Sequence, residues 1–506
     1  MRRRSLLLLV VLPLAALVAG VLPSAAQTPV DHGPHHPMTF PVIGSVSYTD
    51  TFGQPRSGHP HAGQDLMGTK MQELVAAAGG TVTYLQQTEI SGNLLEITGT
   101  DGWVYTYIHL NNDTPGTDDG KAARSDTFGP GIEKGALVEA GQLVGYLGDS
   151  GNAEEAGAHL HFELKDPTGI TVNAYTALQE ATHVTEPKGA TPSPIPRLAG
   201  ADRIATAVAV SQSGWPSGAA DVVLAEGDRY AEALPASVLA AARNGPLLLS
   251  TGSTLPAAVA AELDRLHATR VTVVGSVPAA VADAAAGPGR TVVRLGVADD
   301  ATTSAVDVAK AVGGAGGVAV LVNDARFADG VSATAIAAGR GWPVLLTGAT
   351  TIPQRTVDAW RALGVKTIVV VGGTSVVSQK VEDFARTSGR CAGGAGCSVE
   401  RLSGADRYAT SVAVVERSLQ LGGRTPASVL LGTGTSYADV LASGPLASHL
   451  GGLALLVDGS GSGADAASRS FLTANAGAVK QPTILGGSGA VTGAADRAVQ
   501  EALGLR

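Results

Sequence analysis

The sequence predicts a multidomain protein in which an antiparallel β domain precedes three α/β repeats built on parallel sheets. Three observations predict this architecture. At ~150 residues per domain, the 506 residues allow three or four domains. The first part of the chain carries short β-type runs between glycine turns and few helical stretches. The remainder alternates apolar strand segments with alanine-rich helical segments, and this alternation occurs three times.

The N-terminus has the pattern of a secretory signal peptide. A positive segment at Arg2–Arg4 precedes an apolar run over residues 6–21, and small residues end at Ala26. The run is shorter than the ~20 residues of a membrane span and contains Pro13. We therefore expect cleavage after Ala26 and a secreted protein with no membrane anchor after processing.

Shifts in composition mark the remaining boundaries. The first shift is a segment rich in Pro and His that is expected to be unstructured, and the second is a Pro-rich extended linker. The predicted division is a signal peptide at 1–26, an unstructured segment at 27–37, the β domain at 38–180, the linker at 181–196 and repeats at 197–293, 294–400 and 401–506.

Charge and cysteine content exclude some classes of protein. The net charge of −9 argues against nucleic-acid binding, which requires a basic face. Only two cysteines are present, Cys391 and Cys397, and a short Gly/Ala loop separates them. In an exported protein this spacing favours a local disulfide. A metal site would need two further ligands nearby, and none is evident.

Five polar residues of the β domain have the character of a metal site: His61, Asp65, His109, His159 and His161. His159 and His161 lie in a predicted strand, where residues i and i+2 point to the same face. One ring can bind a metal while the other stays free. Imidazole and carboxylate ligands suit Zn²⁺, and catalytic zinc sites use three protein ligands and leave one position for water.

The order of four segments resembles the lysostaphin/LytM-type zinc endopeptidases of the M23 family. These segments are residues 61–66, 107–110, 135–142 and 157–164. The resemblance implies that His61, Asp65 and His161 bind one Zn²⁺, and that His109 and His159 are catalytic. It also implies cleavage of peptide bonds in peptidoglycan. Two departures are Gln64, where the family has an apolar residue, and an unusually long connection at 112–133.

The second half repeats a four-part pattern: an Arg-Leu pair, an aromatic-Ala-acid triplet, a leucine-rich strand and a strand ending in a glycine turn. The first and third units also share the segment Gly-Ala-Asp-Arg. The pairs begin at Arg197, Arg294 and Arg401, and the triplets are 230–232, 327–329 and 437–439.

This pattern resembles type-2 cell-wall-binding repeats (the CWB2 family), which implies Rossmann- or flavodoxin-like units that attach secreted proteins to anionic wall polymers. Arg203 and Arg407 are then candidate polymer contacts. Alternatively, Asp202 and Asp406 cap helices and the following arginines form local ion pairs. The second unit departs from the pattern, with Val297 at the expected Gly and Asp300 at the expected Arg.

Three functions are compatible with these features. The first is a secreted zinc-dependent endopeptidase that hydrolyses peptidoglycan peptides and is retained on the wall by its repeats. The second is a catalytically silent wall-binding regulator or scaffold with a peptidase-like fold, which a site empty of zinc would favour. The third is a secreted protease that acts on proteins and uses the repeats only for display.

Overall fold

The protein is described by a computed structural model covering residues 32–505, apart from 57, 116, 185, 190–192, 297–299, 389 and 395. The predicted signal peptide lies outside the described residues. The predicted fold classes are confirmed, because an antiparallel β domain is followed by three parallel α/β sheets.

The β domain is built on one large antiparallel sheet with strand order β1-β8-β5-β4-β3-β6, with β9 beside β8; β2 and β7 form a second, small sheet. Its elements are β1 (Gln64–Met67), β2 (Glu73–Val75), β3 (Gly80–Thr88), β4 (Gly92–Gly99), β5 (Val104–Leu110), α1 (Arg124–Thr127), β6 (Leu137–Val138), β7 (Leu143–Tyr146), a 3₁₀ turn (Gly151–Ala153), β8 (His159–Lys165), β9 (Thr171–Val172) and α2 (Tyr175–Glu180).

Strand β8 shows how the sequence places the polar side chains. Leu160, Phe162 and Leu164 alternate along the strand and are completely buried in the core. Because successive side chains of a strand point to opposite faces, His159 and His161 project away from this core. The same alternation that builds the core therefore presents two imidazoles on the other face.

The repeats begin with β10 (Arg197–Leu198) and form three four-stranded parallel sheets, ordered β12-β11-β13-β14, β16-β15-β17-β18 and β20-β19-β21-β10. Their further elements are α3 (Arg203–Gly214), β11 (Asp221–Glu226), α4 (Tyr230–Ala242), β12 (Leu247–Ser250), α5 (Ala257–Arg265), β13 (Arg270–Val274), α6 (Ala279–Ala285), β14 (Thr291–Leu295), α7 (Ala301–Val312), a 3₁₀ turn (Ala315–Gly317), β15 (Val318–Asn323), α8 (Phe327–Arg340), β16 (Val344–Thr347), α9 (Gln354–Ala362), β17 (Thr367–Val371), α10 (Gln379–Thr387), a 3₁₀ turn (Ala392–Gly394), β18 (Ser398–Leu402), α11 (Arg407–Gln420), β19 (Ser428–Thr433), α12 (Ser443–His449), β20 (Leu453–Val457), α13 (Ala466–Asn475), β21 (Gln481–Leu485) and α14 (Gly493–Ala502).

The opening Arg-Leu strand of each repeat belongs to the sheet of another repeat. β14 carries the second Arg-Leu pair and completes the first sheet, and β18 does the same for the second sheet. β10, which opens the first repeat, pairs with β21 of the third. The three units are thereby closed into a ring by main-chain hydrogen bonds.

One helix from each repeat packs at the centre of this ring. Helices α4, α8 and α12 contribute to one apolar cluster that includes Leu234, Val331 and Leu446. Small residues allow the helices to approach closely, since a Cβ atom on Gly330 would lie 2.4 Å from Leu234 Cδ1. The centre of the ring is thus a packed core.

The β domain docks on the third repeat. Arg497 of α14 donates to Tyr146 Oη at 3.0 Å, and its guanidinium carbon lies 4.9 Å from the centre of that ring. Met71 and Ala494 belong to a small apolar cluster at the same contact. The linker also contacts the third repeat, because Ser193 Oγ donates to the Asp496 carboxylate of α14 at 2.8 Å.

Residues 32–37 pack on the β domain, in contrast to the expectation of an unstructured segment at 27–37; residues 27–31 are outside the described range. The His36 ring is 9% exposed and stacks on Trp103 with a centroid distance of 4.1 Å. His36 Nε2 lies 2.6 Å from Tyr105 Oη. Apolar stacking and a buried hydroxyl hold this segment, and neither was apparent from its composition.

The predicted disulfide between Cys391 and Cys397 is present in the second repeat, with the two Cα atoms 5.3 Å apart. Both cysteines are buried in the apolar cluster of that unit. Among the described residues, no helix has the length and apolar character needed to cross a membrane.

Candidate functional site

Three of the predicted site residues meet at the edge of the large sheet. Strand β1 pairs antiparallel with β8, and this register places Asp65 directly opposite His161. Side chains of directly opposed residues lie on the same face of a sheet. His61 precedes β1 in the chain and is 2% exposed.

The atoms of these three side chains are close enough to share one metal ion. His61 Nε2 lies 3.1 Å from Asp65 Oδ1 and 2.9 Å from His161 Nδ1. Asp65 Oδ1 and His161 Nδ1 are 2.9 Å apart. Ligand atoms of a tetrahedral zinc ion lie roughly 3.3–3.6 Å from one another. A small outward movement of each side chain therefore accommodates Zn²⁺, and the nitrogen and oxygen donors suit it.

His61 is oriented by the backbone. Its Nδ1–H donates to the Thr51 carbonyl at 3.0 Å, which directs Nε2 to the metal site. Gln64 is fully buried, and its Oε1 accepts from the Thr51 amide at 3.1 Å while its Nε2 donates to Asp50 Oδ1 at 2.9 Å. The departure at Gln64 therefore has a structural role, since it fixes the loop that orients His61.

His109 and His159 lie beside the three candidate metal ligands. Their ring centroids are 4.9 Å apart, and His109 is 6.2 Å from the ring of His161. His109 Nδ1 lies 2.8 Å from the Ser150 carbonyl, and His159 Nδ1 lies 2.8 Å from the Gly157 carbonyl. A carbonyl only accepts, so both Nδ1 atoms carry hydrogen and both Nε2 atoms are left for other partners.

Burial and hydrogen bonding set the charges at the site. Burial lowers the pKa of His109 to about 4, so its ring is neutral at neutral pH. Burial would raise the pKa of Asp65, but hydrogen bonds from His161, His61 and Arg56 outweigh it and lower that pKa far below its usual value. Burial would lower the pKa of His161, but its bonds to Asp65 and Glu163 raise it.

Two residues at the site were missed by the sequence analysis. Glu163 Oε1 accepts from His161 Nε2 at 3.2 Å, which is the arrangement that orients a metal-binding histidine through its second nitrogen. Its position two residues after His161 on a strand was a usable signal. Arg56 contacts the second oxygen of Asp65, and no pattern in the sequence indicated it.

The aromatic residues of the three triplets also converge, although they are far apart in the chain. Tyr230, Phe327 and Tyr437 form an aromatic cluster with ring centroids 5.3–6.3 Å apart. All three rings are half-buried. Tyr230 and Phe327 are the first residues of α4 and α8, so the positive ends of two helix dipoles lie at this cluster.

Arg203 and Arg407 flank the aromatic cluster. The guanidinium carbon of Arg203 lies 5.4 Å from the Tyr437 ring centre, and that of Arg407 lies 5.8 Å from the Phe327 ring centre. Arg203 also forms an ion pair with Asp228 at 2.6 Å. Each guanidinium therefore crosses from its own repeat to the aromatic ring of the preceding repeat in the ring.

The aspartates of the Gly-Ala-Asp-Arg segments cap helices, as the alternative interpretation predicted. Asp202 accepts from the Ala205 amide at 2.8 Å, and Asp406 is bonded in the same way at the start of α11. In the second repeat the cap is Asp300, which accepts from the Thr303 amide at 2.8 Å. The expectation that Asp300 occupies the arginine position is wrong, because the structural register places Ala301 there.

Other repeated residues stabilise the turns that end the strands. The opening arginines donate to backbone carbonyls beyond the third strand of each sheet: Arg197 to Gly486 at 2.8 Å, Arg294 to Val277 and Arg401 to Gly372. The acids of the triplets lie against turn glycines and leave no room for a side chain there. A Cβ on Gly275 would lie 2.1 Å from the Glu232 carboxylate. The corresponding distances are 2.7 Å between Gly372 and Asp329 and 2.6 Å between Gly486 and Asp439.

The comparisons with known families agree with this division of the chain. Residues 197–284, 294–382 and 401–495 match cell wall binding domain 2 (CWB2), and residues 59–174 match peptidase family M23. The CWB2 matches together cover more than half of the chain.

Two curated relatives are found in Bacillus subtilis. The chain is 31% identical over 256 residues to N-acetylmuramoyl-L-alanine amidase LytC, which is 50% of this chain and 48% of that protein. It is 27% identical over 255 residues to an amidase enhancer, covering 50% of this chain and 33% of that protein. The chain thus spans about half or less of the length of each.

Solved structures share the fold. Cwp8 from Clostridium difficile has a TM-score of 0.53 at 22% identity, over 63% of this chain and 53% of that one. Cwp6 from the same organism has a TM-score of 0.52 at 18% identity, over 80% of this chain and 66% of that one. With its β domain, its closed ring of three sheets and these family matches, the chain belongs to the CWB2 family and carries an M23 peptidase domain ahead of three CWB2 repeats.

Proposed function

We propose that this protein is a secreted, zinc-dependent endopeptidase that hydrolyses peptide bonds in peptidoglycan and is held on the cell wall by its three repeats. The observation that carries the proposal is the convergence of His61 Nε2, Asp65 Oδ1 and His161 Nδ1 within 3.1 Å of one another. Two further imidazoles, those of His109 and His159, lie beside this group.

In this proposal His61, Asp65 and His161 hold one Zn²⁺. When bound, zinc supplies Lewis acidity, which polarises the carbonyl of the scissile bond and makes water more acidic. His109 Nε2 accepts a proton from the attacking water, since its Nδ1 is committed to the Ser150 carbonyl. When Nε2 of His159 also carries hydrogen, it donates to the carbonyl oxygen on which negative charge develops.

Retention on the wall is assigned to the aromatic cluster and the arginines around it. The ligand in this proposal is an anionic wall polymer, contacted by Arg203 and Arg407. A chain of net charge −9 needs a local basic patch for such a ligand. Two guanidinium groups and two helix N-termini at one place supply it, and the half-buried rings offer faces for sugar units.

The test of the hydrolase is loss of turbidity from purified cell walls, with and without a chelator. We expect clearing by the wild type, arrest by the chelator and recovery on addition of zinc. His161→Ala should be inactive, while His59→Ala should resemble the wild type because the His59 ring is exposed and its Nδ1 bonds to the carbonyl of the adjacent Pro60. Equal activity of His161→Ala and wild type would refute the hydrolase. Bound zinc without clearing would instead favour a silent wall-binding scaffold.

A further inference from the structure

A partly buried ion cluster centred on Lys70 lies apart from the proposed metal ligands. Lys70 follows β1, and its Nζ contacts Asp113 Oδ2 at 2.6 Å, Asp118 Oδ1 at 2.7 Å and Asp149 Oδ2 at 2.8 Å. Three carboxylates this close together would suit a cation. The ammonium group of Lys70 already lies among them, so the protein supplies its own cation.

Burial makes this pairing necessary. Asp113 is 2% exposed and Asp149 is 5% exposed, and two buried carboxylates repel each other unless a positive charge lies between them. Burial would lower the pKa of Lys70, but its bonds to Asp113, Asp118 and Asp149 raise it, so the ammonium keeps its charge. Removal of Lys70 would leave an uncompensated buried charge.

The acids come from two separate segments. Asp113 and Asp118 belong to the long connection after β5, the departure noted in the sequence, and the Asp113 carboxylate also accepts from the Gly120 amide at 2.8 Å. Asp149 belongs to the turn after β7. Lys70 is therefore a bridge between the long connection and this turn.

The turn at Asp149 holds His109. The next residue, Ser150, accepts from His109 Nδ1 through its carbonyl at 2.8 Å, and its hydroxyl donates to the Leu110 carbonyl at 2.6 Å. The Gly148 amide donates to the His109 carbonyl at 3.1 Å. His109 has φ of +68°, a left-handed conformation that a non-glycine residue adopts only when its surroundings impose it.

We propose that Lys70 is a positioning residue that holds the 148–151 turn in place and thereby fixes the ring orientation and tautomer of His109. The kinetic part of this inference rests on the proposed hydrolase function. The structural part, coupling of Lys70 to the turn, does not. The Lys70 ammonium group contacts Asp113, Asp118 and Asp149, and its proposed effect on His109 passes through Asp149 and Ser150.

The kinetic test compares Lys70→Met with Lys70→Arg in the full chain. We expect Lys70→Met to lower kcat roughly 10–100-fold, the effect typical of residues that orient active-site groups, with zinc content unchanged. Lys70→Arg keeps the charge and should recover most of the loss. Lys134→Met, at an exposed lysine directly after the long connection, should match the wild type. Wild-type kcat in Lys70→Met would overturn the proposal.

Hydrogen exchange provides a readout that does not depend on catalysis. In Lys70→Met we expect faster amide exchange both in residues 112–123 and in residues 148–152. Faster exchange in 112–123 alone would overturn the proposal, since Lys70 would then hold only the long connection. If the wild type does not clear cell walls, the proposed function fails, but this exchange result still decides the role of Lys70.

Two further variants test the same path if the Lys70→Met protein does not fold. Asp149→Asn removes the carboxylate that links the cluster to the turn and leaves Lys70 paired with Asp113. It should speed exchange in 148–152 and lower kcat. Asp118→Asn changes a side chain that is 75% exposed and should affect only the 112–123 segment. Identical behaviour of the two variants would contradict the path through Asp149.

Discussion

In the peptidase domain three motif side chains point at one another at the edge of the large sheet, whereas in the repeats most motif side chains point at the backbone. The ligand atoms of His61, Asp65 and His161 lie within 3.1 Å of one another. Arg197, by contrast, donates to the Gly486 carbonyl and completes a turn.

The comparison shows that recurrence of a motif is not by itself a sign of binding. The opening arginines and the triplet acids stabilise the turns that end strands, and the aspartates cap helices. Structure alone therefore explains why these residues recur. Fewer motif side chains remain at the surface, namely three aromatic rings and the arginines of two repeats. The following predictions test each side of this contrast.

The largest effect is expected at a metal ligand. His161→Ala removes one of three ligand atoms, so bound zinc should fall well below one per chain by elemental analysis. The hydrolysis rate should fall by at least ~10³-fold, since metal-ion catalysis contributes several kcal/mol. Retention of a full zinc complement would show that His161 is not a ligand.

A smaller effect is expected at a neighbouring imidazole. His109→Ala should lower kcat by roughly 10²–10⁴-fold, the usual contribution of a general base. Its zinc content should equal that of the wild type, because its Nδ1 is bonded to Ser150 and its ring lies outside the three ligands. Zinc loss in this variant would place His109 among the ligands instead.

The repeats should respond through wall binding and not through catalysis. Arg203→Gln combined with Arg407→Gln should weaken binding to purified walls about tenfold, which corresponds to ~1.4 kcal/mol, and should reduce the salt dependence of binding. Arg361→Gln, at an exposed arginine of the second repeat, is the matched control. Unchanged binding in the double variant would remove these arginines from the polymer site.

A gain-of-function variant tests whether the second repeat can be given the arginine that the other two repeats carry. Arg203 lies over the ring of the third repeat and Arg407 over that of the second, so the cyclic order predicts that an arginine at position 301 would lie over Tyr230. Ala301→Arg should strengthen wall binding by a few-fold. Weaker binding would contradict the cyclic arrangement.

The last prediction concerns the contact between the two regions and is read from stability instead of activity or binding. Glu73 is 4% exposed at this contact, facing Arg197, Arg497 and Tyr146, and burial raises its pKa to about 7. Its proton is bound more tightly in the folded state than in the unfolded state. Stability from this group is therefore full below pH 4.5 and is lost as pH rises to about 7.

The measurement is the melting temperature of wild type and Glu73→Gln between pH 4.5 and 8. We expect the variant to lose this part of the pH dependence, worth about 1–3 kcal/mol in the free energy of unfolding. Parallel curves for the two proteins would show that Glu73 does not titrate at the docking surface.

The fold classes were predictable because they depend on local pattern, whereas the ligand set of His61, Asp65 and His161 followed from the resemblance to the M23 family. Alternation along β8 buries Leu160 and Phe162 and necessarily turns His159 and His161 to the other face. The disulfide was predictable because six positions and a flexible loop separate its cysteines.

What could not be predicted depends on long-range packing. The pairing of β10 with β21 joins residues almost three hundred positions apart, so no local signal reports that Arg197 completes the third sheet. The cap at Asp300 required the register of α7, which one inserted position shifts relative to the other repeats. The ion cluster at Lys70 combines three segments that carry no shared motif.

The most direct measurement is mass spectrometry of the fragments that the wild-type protein releases from purified peptidoglycan. For a zinc endopeptidase we expect new amino and carboxyl ends within the peptide stems or cross-bridges, and we expect a chelator or His161→Ala to abolish them. Fragments cut only in the glycan strands or at the bond between sugar and peptide would contradict this expectation, as would release of no fragments by a zinc-loaded protein.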